Sequence, residues 1–222
     1  LSDQLVPGVI GINVFVRDLQ TGTTDLVSRA VDGGLADETS HTPAISADGR
    51  FVAFSSWATN LTVGDTPTGY REVFRRDLLT GVTEKVSIDD GGDPISFSAL
   101  NPTISDDGGL VAFDGPGTVY VRDLGAGRTE DLGRGQLPAI SGDGRMVVFV
   151  TSFPLSQWDT NGRLDVYAHD RVAATTTQLS VTGDWKQTDG DSTGFAAQLS
   201  PAISDDGLLS AFATERPLDA TD

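Results

Sequence analysis

Cysteine is absent from the 222 residues, so neither a disulfide framework nor a thiolate metal site can be built. Histidine occurs twice, and no HExxH or clustered pattern exists, which leaves a zinc hydrolase unsupported. Long apolar runs are also missing. The longest, Met146 to Val150, is far too short to span a bilayer. No helix-length stretch shows a 3.6-residue periodicity with caps at its ends. Positive charge is scarce: 15 Lys and Arg stand against 32 Asp and Glu, a net charge of −17. That field repels phosphates, which argues against a nucleic-acid partner and against docking on anionic membranes. The chain opens at Leu1 with neither Met nor a signal-like stretch, as a processed, trimmed or partial chain would. Missing cysteine and high acidity suit an extracytoplasmic setting, whether secreted, periplasmic or cell-surface.

What is present is repetition. A unit reading Pro43-Ala-Ile-Ser-Ala-Asp-Gly-Arg-Phe-Val-Ala-Phe54 recurs from Pro102, Pro138 and Pro201. A second unit alternates with it, as Asn13-Val-Phe-Val-Arg-Asp-Leu19 followed by Thr21-Gly22 and Asp25-Leu-Val-Ser28, with copies beginning at Glu72, Thr118 and Asp165. Each unit reads as a β-hairpin. Asp-Gly in the first suits a type I′ turn, and Thr-Gly or Ala-Gly serves the second. The last copy of the second unit has Ala173-Ala174 and no glycine, so its turn is expected to differ. The apolar runs Phe51 to Phe54 and Met146 to Phe149 are continuous rather than alternating, which argues for sheets covered on both faces. Recurrent Arg17-Asp18, Arg76-Asp77 and Arg122-Asp123 read as turn-capping aspartates beside arginines that reach a neighbouring repeat, with His169 standing in the arginine slot.

The Pro-x-Ile-Ser-x-Asp-Gly-x-x-x-Ala-Phe pattern resembles the TolB-like, WD40-like (PD40) bacterial β-propeller repeats. The resemblance implies an all-β propeller. With strands a to d, the first unit is the a–b hairpin and the second the c–d hairpin. Residues 1–222 then form one domain of four four-stranded blades: 43–88, 101–132, 137–181, and 200–215 joined to 13–28. The last blade closes the ring by pairing N-terminal c–d strands with C-terminal a–b strands. The alternative is a fragment of a six- to eight-bladed ring.

Alternating strand direction puts the tight a–b and c–d turns on one face and the b–c and d–a connectors on the other. The latter are long, except around Gly115-Pro116-Gly117 and Arg134-Gly135-Gln136, so the rim is expected to be low beside the second blade. The long connectors hold Trp57, Tyr70, Trp158 and Trp185, which either anchor loops or form a stacking platform for a ligand, with His41 near the channel mouth. Asp159, Asn161 and Asp165 alternate around Gly162 like a short calcium loop, or else form an Asx turn. Gly190-Asp-Ser-Thr-Gly194 matches the nucleophile-elbow string but lies in a polar loop with no helix to follow. The expected function is a non-catalytic binding or scaffold module engaging a protein or glycan through the long-loop face. The alternatives are a polysaccharide- or peptide-acting enzyme at the channel mouth, and a structural part of a larger assembly. Calcium is the one cofactor suggested.

Overall fold

Turn chemistry starts each hairpin. The computed structural model describes residues 11–64, 68–181 and 200–214. In the first unit a serine hydroxyl donates to the aspartate two residues on: Ser46 to Asp48 and Ser141 to Asp143 at 2.6 Å, Ser105 to Asp107 at 2.7 Å, and Ser204 to Asp206 at 2.6 Å. The same serine oxygen accepts the N–H of the residue five on, and the carboxylate accepts the N–H two on. These bonds hold all four carboxyls below the usual aspartate range. The glycine takes φ of 71° at positions 49, 108, 144 and 207, while the aspartate before it stays at negative φ. Its N–H donates to the serine carbonyl three residues back. This is a type I turn ended by a left-handed glycine, and not the expected type I′, which needs positive φ at both central residues.

The second unit turns on an aspartate whose carboxylate accepts following N–H groups at Asp18, Asp77, Asp123 and Asp170. Gly22, Gly81 and Gly127 then take the left-handed conformation. The Ala173-Ala174 copy does not turn differently. Ala174 adopts φ of 53° at the same position, held there by the Asp170 cap and the paired strands on either side. The recurrent arginines bond first within their own repeat. Arg17, Arg76 and Arg122 each donate to the threonine opposite in their own hairpin, Thr24, Thr83 and Thr129, and Arg122 also reaches the neighbouring repeat as expected, donating to Asp89 O on the connector from blade 1 at 3.2 Å. Register decides this, because each arginine faces its threonine directly across the ladder. His169 makes the equivalent bond to Thr176 at 2.9 Å.

Among the described residues sixteen strands result, and there is no helix. A first hairpin is β1 (Phe15–Arg17) and β2 (Thr24–Leu26). Blade 1 is β3 (Ser40–Ile45), β4 (Phe51–Ser56), β5 (Glu72–Asp77) and β6 (Thr83–Lys85). Blade 2 is β7 (Leu100–Ile104), β8 (Leu110–Asp114), β9 (Thr118–Asp123) and β10 (Arg128–Arg134). Blade 3 is β11 (Gln136–Ile140), β12 (Met146–Thr151), β13 (Asp165–Asp170) and β14 (Thr175–Gln178), and a last hairpin is β15 (Ala202–Ile203) and β16 (Ser210–Ala211). Each blade is an antiparallel sheet ordered a-b-c-d. The a strands β3, β7, β11 and β15 approach one another in series, which makes them the inner strands of the fan.

Burial follows from the stacking. Strand b sends alternate residues into two different inter-blade layers. Val52 and Phe54 join Val14 and Val27 of the first hairpin, whereas Ala53 joins Val111 and Phe113 of blade 2. Blade 3 repeats this: Val147 and Phe149 face blade 2, and Val148 and Val150 face the side of Ile203 and Phe212. Both faces of the strand are covered, so its run is continuously apolar. Each blade also stacks an aromatic of strand b on one of strand c: Phe54 on Phe74, Phe113 on Tyr120 and Phe149 on Tyr167. Every fully buried side chain of this size contributes about 1.5–3 kcal/mol.

The expected closing pair does not form among the described residues. The two terminal hairpins make separate two-stranded sheets. Between blades, the turn glycine sits on the first residue of the preceding strand b: Gly108 on Phe51, Gly144 on Leu110 and Gly207 on Met146. Gly49 has nothing within 4 Å of where a Cβ would lie, and Leu209, the counterpart of Phe51, is 73% exposed. Both ends of the stack therefore lack the neighbour that covers every internal position, and the described chain is an open run of blades.

Candidate functional site

The a-b-c-d order does what alternation demands. The Ser-x-Asp-Gly and Asp-capped turns share one end of each sheet, and the b–c and d–a connectors share the other. The connector face is lowest at blade 2, as expected. There the b–c link is Gly115-Pro116-Gly117, and a single residue, Gly135, separates β10 from β11. Gly135 N–H donates to Gly117 O at 3.0 Å, and a Cβ on Gly135 would strike Phe149. The close approach explains why glycine stands there. Between blades 2 and 3 this low rim opens a cavity of about 210 Å³, bounded by Gly117, Arg134, Gln136, Ser152, Phe153 and Leu164 among others. The Arg134 guanidinium lies 4.8 Å from the Phe153 ring centre.

Inner strands carry a repeated irregularity near the same face. The residue before each proline adopts positive φ at Thr42 (47°), Asn101 (48°) and Leu137 (55°), and the ladder register shifts there. The partner on strand b differs from blade to blade. Thr42 Oγ1 meets Ser55 Oγ at 2.9 Å. Asn101 donates to both oxygens of Asp114, whose Oδ2 also accepts Leu137 N–H from blade 3 at 2.7 Å. Burial pushes the Asp114 carboxyl up, against the pull of these bonds.

Of the residues singled out in the sequence, His41 and Trp57 come together around Arg71, and Tyr70 adjoins Arg71 in the chain. His41 is half-buried at the start of β3. Burial, and then the Arg71 charge, holds its imidazolium below the ordinary histidine value. The Arg71 guanidinium lies 5.5 Å from the Trp57 ring centre, and its buried Nε has no hydrogen-bond partner. Nothing in the sequence pattern marks Arg71, which precedes the repeat unit. Trp158 lies apart, on the b–c connector of blade 3. Trp185 and the Gly190–Gly194 string fall outside the described residues, as does Asp65.

The candidate cation loop is knitted into the blade. Tyr167 hydroxyl donates to the buried Asp159 at 2.6 Å, and Ser180 hydroxyl donates to Asp165 at 2.6 Å. Burial, and then the hydrogen bond to Asp159 and its charge, push the Tyr167 hydroxyl's pKa well above its usual value. Asn161 Oδ1 accepts Arg163 N–H at 2.8 Å, an Asx turn. Asp165 occupies the slot that Asn13 fills in the first hairpin, where Ser28 donates at 3.0 Å. Among the described residues no three His, Cys, Asp or Glu side chains gather as a metal site.

No protein-family model matches the sequence, and no curated protein matches it either. Solved structures do match. An oligogalacturonate lyase in complex with manganese aligns with a TM-score of 0.55 at 17% identity, over 90% of this chain and 52% of that one. TolB from Acinetobacter baumannii aligns with a TM-score of 0.50 at 18% identity, over 92% and 49%. The β-propeller domain of the Trilobed protease from Pyrococcus furiosus, described as having an open velcro topology, aligns at 0.50 and 13%, over 82% and 51%. The fold is a β-propeller, similar to that of TolB and of the other two proteins. The chain spans about half the length of these propellers. At such identities the likeness speaks for the blades and not for the chemistry of the face.

Proposed function

We propose that this propeller chain is a non-catalytic binding or scaffold module that engages a protein or glycan through the connector face. One observation carries the reading. Among the described residues the exposed aromatics are Trp57, Tyr70, Phe153 and Trp158, at 38%, 42%, 46% and 67% exposure. All four sit on b–c connectors, two on blade 1 and two on blade 3, flanking the low connector of blade 2. Among the described residues Phe54, Phe74, Phe113, Tyr120, Phe149 and Tyr167 are spent on inter-blade layers, so the exposure here is a local exception. Large aromatic rings left in water on a rigid scaffold are the usual anchors of an interface.

The repeat motif and the likeness in fold to TolB support placing the repeats in the WD40-like (PD40) group. The uncovered Gly49 and Leu209 surfaces support a run of blades belonging to a larger propeller assembly. Absence of cysteine and the charge of −17 support an extracytoplasmic setting.

The test is capture by the immobilised chain from a glycan array and from a panel of purified extracellular proteins. The double variant Trp57→Ala/Phe153→Ala is run beside it. A specific ligand held by the parent and weakened about tenfold or more in the variant, at an unchanged melting midpoint, is the expected result. Equal capture by both proteins overturns the reading. Polymer cleavage by the parent that disappears in His41→Ala would establish an enzyme instead.

A further inference from the structure

The d–a connector that leaves blade 1 lies against strands β9 and β10 of blade 2, and together they bound a cavity of about 450 Å³ on the connector face. Its floor is apolar, made of Ile95, Phe97 and Tyr120. Phe97 stacks on Tyr120 with ring centres 5.5 Å apart, and Tyr120 stacks in turn on Phe113. A Cβ on Gly115 would strike the Phe97 ring, so glycine lets that ring settle onto the short connector of blade 2. Packing therefore fixes the floor before any guest arrives, and a guest loses little free energy in ordering it.

The rim is anionic. Asp89, Asp90 and Asp131 are exposed and line the cavity. Each is anchored through one oxygen. Asp89 Oδ1 accepts Gly91 and Asp93 N–H, Asp90 Oδ1 accepts Thr129 N–H at 2.6 Å, and Asp131 Oδ1 accepts Gly133 N–H at 2.7 Å. The second oxygen of each makes no hydrogen bond or ion pair among the described residues, whereas Asp77 and Asp170 are both answered by an arginine. One cation lies beneath the rim: the buried Arg122 guanidinium donates to Asp89 O at 3.2 Å and to Thr129 Oγ1 at 3.0 Å. A single positive charge leaves three carboxylates in excess, and the chain's net charge of −17 extends the same field outward.

An apolar floor under an anionic rim is the complement of an alkylammonium. The four methylenes of a lysine can lie on aromatic and aliphatic surface while its ammonium, with three donors and a full charge, stays at the wet edge among acceptors. The same ammonium is attracted by the face of a tyrosine or phenylalanine ring. A neutral guest would cover the carboxylates without answering them, at a desolvation cost. An acidic guest would be repelled.

We propose that this cavity docks a lysine side chain presented by a basic segment of a partner protein, with the stem on Phe97 and Tyr120 and the ammonium among Asp89, Asp90 and Asp131. The site rests on the binding-module reading and selects a protein ligand over a glycan.

The experiment titrates the full chain at low salt with an acetylated and amidated Gly-Gly-Lys-Gly-Gly peptide, and with the same peptide carrying norleucine in place of lysine. Binding is read from the NMR shifts of the Phe97 and Tyr120 ring protons. The lysine peptide is expected to saturate, and the norleucine peptide to bind about tenfold or more weakly. Asp90→Asn/Asp131→Asn keeps the acceptors for Thr129 and Gly133 N–H and is expected to melt like the parent while weakening the lysine peptide about tenfold. Asp18→Asn/Asp25→Asn removes the same charge from the first hairpin and is expected to leave the affinity unchanged. Four results overturn the site: no saturable binding of the lysine peptide, equal affinity for norleucine, unchanged affinity in Asp90→Asn/Asp131→Asn, or an equal loss in Asp18→Asn/Asp25→Asn, which would reduce the attraction to the overall charge. The two peptides compared on the parent chain decide the matter even if a variant fails to fold. Failure here is separable from failure of the module. Capture lost in Trp57→Ala/Phe153→Ala with flat lysine-peptide titrations keeps the module and removes the site.

Discussion

Ala174 holds a backbone conformation, φ of 53°, that the other three c–d turns assign to glycine. A Cβ there costs about 1–2 kcal/mol. Ala174→Gly should therefore stabilise the chain, raising the melting midpoint by about 2–4 °C for each kcal/mol relieved in a domain of this size. A lower midpoint would mean the alanine is unstrained. The a–b glycines make a paired comparison. Gly49 and Gly144 share φ of 71°, but only Gly144 is pressed against a neighbour, Leu110 of the preceding blade. Gly49→Ala should lose only the conformational term. Gly144→Ala should lose about 1–3 kcal/mol more through overpacking. Equal midpoints for the two variants would contradict the inter-blade contact.

Within a blade, strand b is the element that both neighbours grip, and it ends at Asp114 in blade 2. The buried Asp114 carboxyl has its pKa raised, with desolvation the largest cause. In the folded state it keeps its proton at a pH where the unfolded chain has released it. Its contribution to stability is full below the ordinary aspartate range and is lost as pH rises through the raised value. Asp77 and Asp170 behave oppositely. Arg50 and Arg145 hold their carboxyls well below the usual range, so that contribution is lost as pH falls beneath it. These two carboxylates lie at the surface, where solvent screening makes the effect small. Asp114→Asn keeps an acceptor for Leu137 N–H and removes the penalised charge. Its effect on the midpoint should be more favourable near about pH 7 than near about pH 4. A pH-independent effect would show that Asp114 titrates as an ordinary aspartate. Removing a ring from the b–c stack is a harsher change: Phe113→Ala should cost about 3–5 kcal/mol in chemical denaturation.

Across the molecule, a net charge of −17 makes the compact state repel itself. Added sodium chloride should raise the midpoint by screening, with most of the gain below about 0.15 M, where the Debye length shrinks fastest. A cation held by Asp159, Asn161 and Asp165 would add a rise specific to calcium. Melting in calcium chloride against sodium chloride of equal ionic strength separates the two effects, and equal midpoints retire the calcium assignment.

How much of this was legible without coordinates follows from the range of each interaction. The hairpins could be read from Ser-x-Asp-Gly and Asp-x-x-x-Gly because each turn is closed by groups a few residues apart. The continuous apolar run of strand b announced a strand covered on both faces. The a-b-c-d alternation then assigned tight turns to one face and connectors to the other, and the glycines at 115, 117 and 135 located the low rim. Other features depended on partners far along the chain. Whether Arg76 reached across a blade boundary was a matter of register with Thr83. Ala174 was forced left-handed by the strands it joins. The fate of the terminal hairpins, the meeting of Arg71 with Trp57 and His41, and the cavity over Phe97 and Tyr120 all depend on surfaces that exist only once blades stack. A repeat specifies its own turns and its own two faces through short-range bonds, while contacts between repeats are chosen by packing that no single copy encodes.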